Sequence, residues 1–434
     1  MSTPAKHTNT SPATPMEQGV SELIRKRHKL EAGEVLRRLE HEFPDNPEAM
    51  TYFYTLFRQS YCEGKPLQTH KPLVGNMCVQ VPDELIRACG GMPVRLCNGT
   101  HTLEQLGAEN LPARTCPLIK ATMGGFQSRA VAPFNQLSLV VNPSTCDQKK
   151  KASEQIREMG HELYLLEYPP VKDSEAAREY WRATVRQFAR ALPRYTGQRL
   201  TRRRLKQTLG EIDRAQSEYR RLQQLRRSTP APILGKDVFL VTGAYFFDDL
   251  ARWTEALAQL NDELEIRVAE GFSAAQKRAP RILFTGSPPI FPNFKLPLLI
   301  ESSGAVIVAD EVCSANRMLN DRVAVDEWFL YDMVDAIADR YLKPCTCPIF
   351  DTSVDRQRRL LELAQQHQVD GVVYQAFSGC QVYELEHRTV TAALQAEGLP
   401  VMYIETDYSP DDIGQLSTRI EAFIESIKAR KRKV

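Results

Sequence analysis

The sequence predicts an α/β chain of two similar doubly wound (Rossmann-like) parallel-sheet domains, with a helical N-terminal preface and a helical connector. Three observations predict it. Short apolar runs alternate with helical patterns over most of the chain. A long, charged helical stretch interrupts that alternation near the middle. At 434 residues and 42% hydrophobic content there is enough apolar mass for two or three cores.

Each element follows from local composition. Residues 1–15, rich in Thr, Ser, Pro and Ala, cannot bury a core and are expected to be disordered. Over residues 16–70, Leu23, Ile24, Leu30, Val35, Leu36 and Leu39 recur at helical spacing among Lys, Arg and Glu, which predicts amphipathic helices. Residues 71–175 form the first α/β domain, with strands expected in LSLVVNP at 137–143 and HELYLLEYP at 161–169. Residues 176–270 form the connector, which runs through RRRLKQTLGEIDRAQSEYRRLQQLRR to the break STPAP. DVFLVTGA from 237 reads as a further buried strand. In the second α/β domain, 271–427, strands are expected in RILFTGSP, GAVIVAD, VDGVVYQAF and LPVMYIETD. Residues 428–434 form a basic, solvated tail.

Several function classes are disfavoured. The net charge of +2, from 56 basic against 54 acidic residues, makes no field to recruit nucleic acid. The basic connector interleaves Glu211, Asp213 and Glu218 and has few aromatics to stack bases, so it reads as a solvated helix. No run of eighteen apolar residues and no apolar leader occurs, so a cytoplasmic protein without membrane spans is expected. VTGA and FTGSP complete neither a dinucleotide nor a P-loop motif, and the eight histidines form no HExxH.

The ten cysteines carry the chemistry. In a reducing compartment they are buried apolar groups, nucleophiles or ligands rather than disulfides. Cys146 follows the strand LSLVVNP, Cys313 follows GAVIVAD, Cys380 follows GVVYQAF, and Cys345 and Cys347 stand in the loop PCTCP. Such loops lie at the carboxyl edge of the sheets, where sites assemble. Spacings of 38 and 30 residues separate Cys78, Cys116 and Cys146, and 32 and 35 separate Cys313, Cys345 and Cys380. Three loop cysteines per half suit a shared centre. Zinc prefers close pairs of the CxxC kind, which are missing, whereas thiolates spread over several loops suit iron–sulfur clusters. Two cubanes with three thiolates each, sharing a sulfide, would use six. Cys62, Cys89 and Cys97 read as packed side chains. Glu405, where the strand of IETD meets its loop, is a candidate for proton handling.

The strings GNMCVQVPDELIRACGG, CPLIKA, STCDQKKK, YLKPCTC, GCQVYELE and IETDYSPDDIGQLSTRIEAFIE carry a resemblance. From about residue 70 to 427 the chain resembles the double-cubane cluster proteins, within the superfamily of 2-hydroxyacyl-CoA dehydratases and benzoyl-CoA reductases. The resemblance implies a double-cubane cluster held by Cys78, Cys116 and Cys146 on one side and Cys313, Cys345 and Cys380 on the other, with Cys347 as the alternative to Cys345. It implies a homodimer, a small-molecule substrate, and electrons from a separate ATP-hydrolysing iron–sulfur activator, so that ATP binds only the partner. The activity implied is low-potential reduction. A 2-hydroxyacyl-CoA dehydratase component with one four-iron cluster, and a non-enzymatic electron store, are the alternatives. Glu386 matches a family polar position, for proton delivery or a helix contact. Lys120 and Lys149 to Lys151 either offset cluster charge, meet the activator or are simply solvated.

Overall fold

In a computed structural model, residues 15–65, 67, 69–128 and 131–432 are described, with the side chains of residues 15–18 and 315 left aside. The disorder expected of residues 1–15 therefore falls almost wholly outside the described residues. Eight strands form two four-stranded parallel sheets. The first holds β1 (Leu73–Asn76), β2 (Met92–Arg95), β3 (Leu137–Pro143) and β4 (Leu163–Leu166) in the order β2-β1-β3-β4. The second holds β5 (Arg281–Gly286), β6 (Val306–Val312), β7 (Gly371–Phe377) and β8 (Val401–Thr406) in the order β6-β5-β7-β8. Counted within each half, both orders read 2-1-3-4, so the topology repeats. The winding direction reverses beside the first strand of each sheet, and that reversal opens a crevice at the carboxyl ends.

The expected strand DVFLVTGA is a helix, Gly235–Ala244. Val238, Phe239, Leu240 and Val241 are all buried, and a helix buried on every side shows no period to separate it from a buried strand. The basic end is helical as far as Lys431, within Ile413–Lys431, and Lys431 pairs with Asp370 at 2.7 Å.

The helices outside the sheets lock the two lobes together. The preface (Pro15–His41 and Met50–Phe57) and the connector helix Arg202–Leu225 bury Leu36, Leu39, Phe53, Ile212 and Tyr219 in one core with Ile282, Phe284 and Ile307 of the second sheet. Helix Glu175–Ala191 instead packs Trp181, Val185 and Phe188 on Val74, Leu139 and Val141 of the first sheet, together with Met333, Val334 and Ile337 of helix Leu330–Leu342 from the second half. Trp181 donates its indole N–H to the Ala338 carbonyl at 2.9 Å. Arg182 with Asp339 and Arg186 with Asp335 extend the seam. A helix of the second half thus covers the first sheet, which fixes how the two carboxyl edges face each other.

Candidate metal centre between the lobes

The two crevices merge into one cavity of about 410 Å³. Seven cysteines line it: Cys78, Cys97, Cys116 and Cys146 from the first lobe, and Cys313, Cys347 and Cys380 from the second. Local structure explains their positions. Cys78, Cys97, Cys146, Cys313 and Cys380 lie one to three residues beyond the ends of β1, β2, β3, β6 and β7. Cys146 and Cys380 cap the N-termini of helices Asp147–Glu158 and Gln381–Ala396, and Cys116 immediately precedes helix Pro117–Ser128. Helix N-termini favour sulfur as thiolate.

Five of the six sulfurs expected as ligands face this cavity. Cys345 does not. It lines a neighbouring polar cleft of about 200 Å³, where Gln80 donates to its sulfur at 2.7 Å. Cys347, two residues on, takes the place in the cavity. Cys97, expected as a packed side chain, lines it as well. It obeys the same rule of a cysteine just beyond a strand, but its strand, MPVR, is short and broken by proline, so it does not stand out in the sequence. Cys62 and Cys89 lie away from the cavity, as expected.

Sulfurs of the two lobes meet directly. The neighbouring Cys116 sulfur, together with burial, raises the Cys380 thiol well above its ordinary pKa. Gln148 spans the same junction, accepting from the Cys116 N–H at 2.8 Å and donating to the Gly379 carbonyl at 2.9 Å. Within the second lobe, Cys347 hydrogen-bonds to Cys313 and, against burial, pulls the latter's pKa well down. Arg317 adds to that pull, donating to Cys313 Sγ at 2.9 Å. Its guanidinium is held by Glu311 at 2.6 Å, and Glu311 is itself buried against Arg356 and the Thr346 hydroxyl.

Two further cations face the sulfurs with no carboxylate ion pair among the described residues. Lys149 lines the cavity and donates to the Thr145 hydroxyl at 3.1 Å. Burial opposes its charge, but Cys78, Cys146, Cys97 and Cys313 outweigh that and raise its pKa. Arg95 is comparable: burial opposes its charge, attraction to the Cys97 sulfur outweighs that, and its guanidinium lies 4.9 Å from the Phe246 ring centre. Buried cations ordinarily require counter-charge. The cavity therefore suits an anionic occupant with soft ligands.

The expected proton carriers stand apart. Glu386 lies behind the cavity wall, 3.0 Å from Arg356 Nε and 3.2 Å from the Tyr374 hydroxyl, and burial raises its pKa. Glu405 is exposed on β8 and does not line the cavity. Tyr383 is nearer the chemistry, its hydroxyl 3.3 Å from Cys313 Sγ and 3.1 Å from Arg317. Lys120 bonds the Ala113 carbonyl at 2.9 Å, and Lys150 pairs with Asp147 at 2.8 Å.

Residues 78–427 match the family model of the 2-hydroxyglutaryl-CoA dehydratase D-component. The match begins at the first cavity cysteine and takes in every strand after β1. The chain belongs to the 2-hydroxyglutaryl-CoA dehydratase D-component family. Among its relatives, a putative dehydratase subunit, YjiM, of Escherichia coli (strain K12) is 31% identical over 361 residues, 82% of this chain and 91% of that protein. The (R)-phenyllactyl-CoA dehydratase beta subunit of Clostridium sporogenes is 22% identical, over 83% of this chain and 93% of its own length. A benzoyl-CoA reductase subunit of Thauera aromatica is 24% identical over 84% of this chain and 93% of its own. This member of the dehydratase D-component family thus stands among subunits of dehydratases and of a reductase. Among its described residues no helix is long and apolar enough to cross a membrane.

Proposed function

We propose that the interlobe cavity holds a double-cubane iron–sulfur cluster on Cys78, Cys116, Cys146, Cys313, Cys347 and Cys380, and that the protein is a low-potential reductase of small molecules. The observation that carries the reading is that two topologically identical lobes bring loop cysteines into one cavity, Cys78, Cys116 and Cys146 with Cys97 beside them from the first and Cys313, Cys347 and Cys380 from the second. Among the described residues no trio of His, Cys, Asp or Glu is close enough to hold a single metal ion, so the sulfurs are spaced more widely than a mononuclear site. Lys149 and Arg95 supply positive charge that suits an anionic cluster. Cys347 replaces Cys345 in the ligand set because Cys345 faces the other side of its loop.

When bound, such a cluster supplies electrons at low potential. The chain's own residues do the rest. Arg317 donates to Cys313 Sγ, which lowers the charge density on that sulfur and favours its bound, deprotonated form. Tyr383 keeps its phenolic proton, because burial raises its pKa well above normal, and can present it to the cavity beside Cys313. Gln148 and the Cys116–Cys380 contact hold the two lobes in register. The absence of a phosphate-binding motif fits delivery of electrons by a separate ATP-hydrolysing activator, with this chain acting as a cytoplasmic homodimer.

The dehydratase names among the relatives support a second reading, a 2-hydroxyacyl-CoA dehydratase component, which we expect to carry a single four-iron cluster. Anaerobic purification with iron and sulfide analysis separates the two, with about eight irons per chain expected for the first and about four for the second. Serine variants test the ligand set. Cys347→Ser is expected to lose iron while Cys345→Ser keeps it; the reverse would refute the assignment.

A further inference from the structure

A second, smaller cavity of about 40 Å³ adjoins the cysteine cavity, and Arg95 and Cys97 line both. Its walls are mostly aromatic. The Phe57 ring lies edge-on to Phe291 at 4.7 Å and to Phe247 at 4.9 Å, and Tyr61 meets Phe291 at 4.9 Å. Tyr61 reaches the cavity from a π-helical turn, Arg58–Cys62, a distortion that recurs at functional sites. Two polar atoms of these lining residues have no hydrogen-bond partner, Arg95 Nε and Ser314 Oγ, and the second is out of keeping with the aromatic walls. Ser314 lines the cavity, is 6% exposed, and its hydroxyl has no hydrogen-bond partner. A buried hydroxyl is ordinarily satisfied by protein, water or ligand.

We propose that this cavity is a binding site for a small neutral molecule of about two to four heavy atoms, its apolar body against the aromatic rings and its one polar end on Ser314 Oγ. The size follows from the room that about three waters would need. A cation is disfavoured because no carboxylate lines the cavity, and a neutral guest is favoured over an anion because the one lining cation, Arg95, already faces Cys97 and the Phe246 ring. A bulkier molecule does not fit, and a strongly polar one would leave its groups unpaired against phenyl rings. Arg95 and Cys97 form a wall shared with the larger cavity, which makes the smaller one a holding site for a small substrate. That last clause rests on the proposed reductase function; occupancy of the cavity does not.

The test uses full-length protein under anaerobic conditions, with two probes. Xenon reports the apolar volume by diffraction from pressurised crystals, and acetonitrile, three heavy atoms with one acceptor, reports the polar end by ligand-observed NMR titration. The expected result is xenon seated among Phe57, Phe247 and Phe291. Acetonitrile affinity should fall about tenfold in Ser314→Ala with xenon unchanged. Thr242→Leu, which projects into the cavity from a residue whose hydroxyl bonds only its own helix, should exclude both probes. Xenon missing from the cavity in the unmodified protein, or acetonitrile binding equally well to Ser314→Ala, would overturn the proposal even if Thr242→Leu failed to fold. Iron per chain, measured on the same samples, tests the cluster reading separately.

Discussion

Alanine at position 379 tests how tightly the lobes are held at their cysteine loops. Gly379 has φ +80, and a Cβ there would lie 2.1 Å from the Arg114 carbonyl oxygen in the other lobe. Ordinary contact begins near 3.4 Å, so the loops must part by about 1.3 Å. Hydrogen bonds of 2.8 and 2.9 Å through Gln148 do not survive that movement. Gly398 provides the control, with φ +79 and nothing within 4 Å of its added Cβ. The left-handed conformation alone costs about 1–2 kcal/mol for a non-glycine residue, so Gly398→Ala should lose that much. Gly379→Ala adds the broken bridge, at about 1–3 kcal/mol for each of the two partners left unsatisfied, for a total of about 3–8 kcal/mol. Denaturant unfolding of the two variants gives the difference, and iron content after anaerobic purification should drop only in Gly379→Ala. Equal losses of stability with iron retained in both would refute the interlobe junction as a determinant of the site.

Other perturbations act on buried charge. Lys149→Met removes a buried cation that the facing sulfurs stabilise, so the cluster-free chain should lose stability in denaturant melts. In the loaded protein the same change should lower the reduction potential by on the order of 100 mV, measured by redox titration; a rise would contradict the proposed charge pairing. His28, buried against Tyr61 and hydrogen-bonded to Asn98, has its pKa lowered by burial from 6.5 to about 4. The unfolded chain therefore takes up the proton first, and stability drops as pH falls from about 6.5 to 4, by up to about 3 kcal/mol. Asp83 and Glu301, raised by burial to about 7, act in the opposite direction, losing stability as pH rises from about 4 to 7. The His28 share is isolated as the difference between unmodified protein and His28→Gln, and a difference that does not change with pH would refute it. Tyr383→Phe should retain iron yet slow any proton-coupled turnover, with the larger effect at high pH; loss of iron would instead assign Tyr383 a structural role.

How much of this was legible in the sequence depended on whether a feature lay in one segment or between several. Six of the eight strands announced themselves as apolar runs, and β5, β6 and β7 are buried along their whole length. β1 and β2, as LVGN and MPVR, are four residues long and, unlike LYLL of β4, are broken by glycine or proline, so neither shows an apolar run. The loss of β2 carried Cys97 with it, since that cysteine is marked only by the strand it follows. The expectation of iron–sulfur chemistry arose because six cysteines recur at intervals of about one βα unit, a property of the chain alone.

The choice between Cys345 and Cys347 was of another kind. Residues two apart in a Pro-bounded loop carry no local signal for which side chain turns inward. The decision is made by distant residues: Gln80 captures the Cys345 sulfur, Tyr168 packs beside it, and Lys172 holds its carbonyl at 2.8 Å. With Cys345 so restrained, Cys347 is left to reach Cys313. The same holds for charge. Arg317, Glu311 and Arg356 look like ordinary surface residues in sequence, and only the closure of the second sheet against its loops buries them as a compensated group. Lys149 and Arg95 are buried by that closure without a carboxylate. The fold therefore tolerates an imbalance that a purely structural interior would not, and the sulfurs they face are where an anionic occupant would redress it.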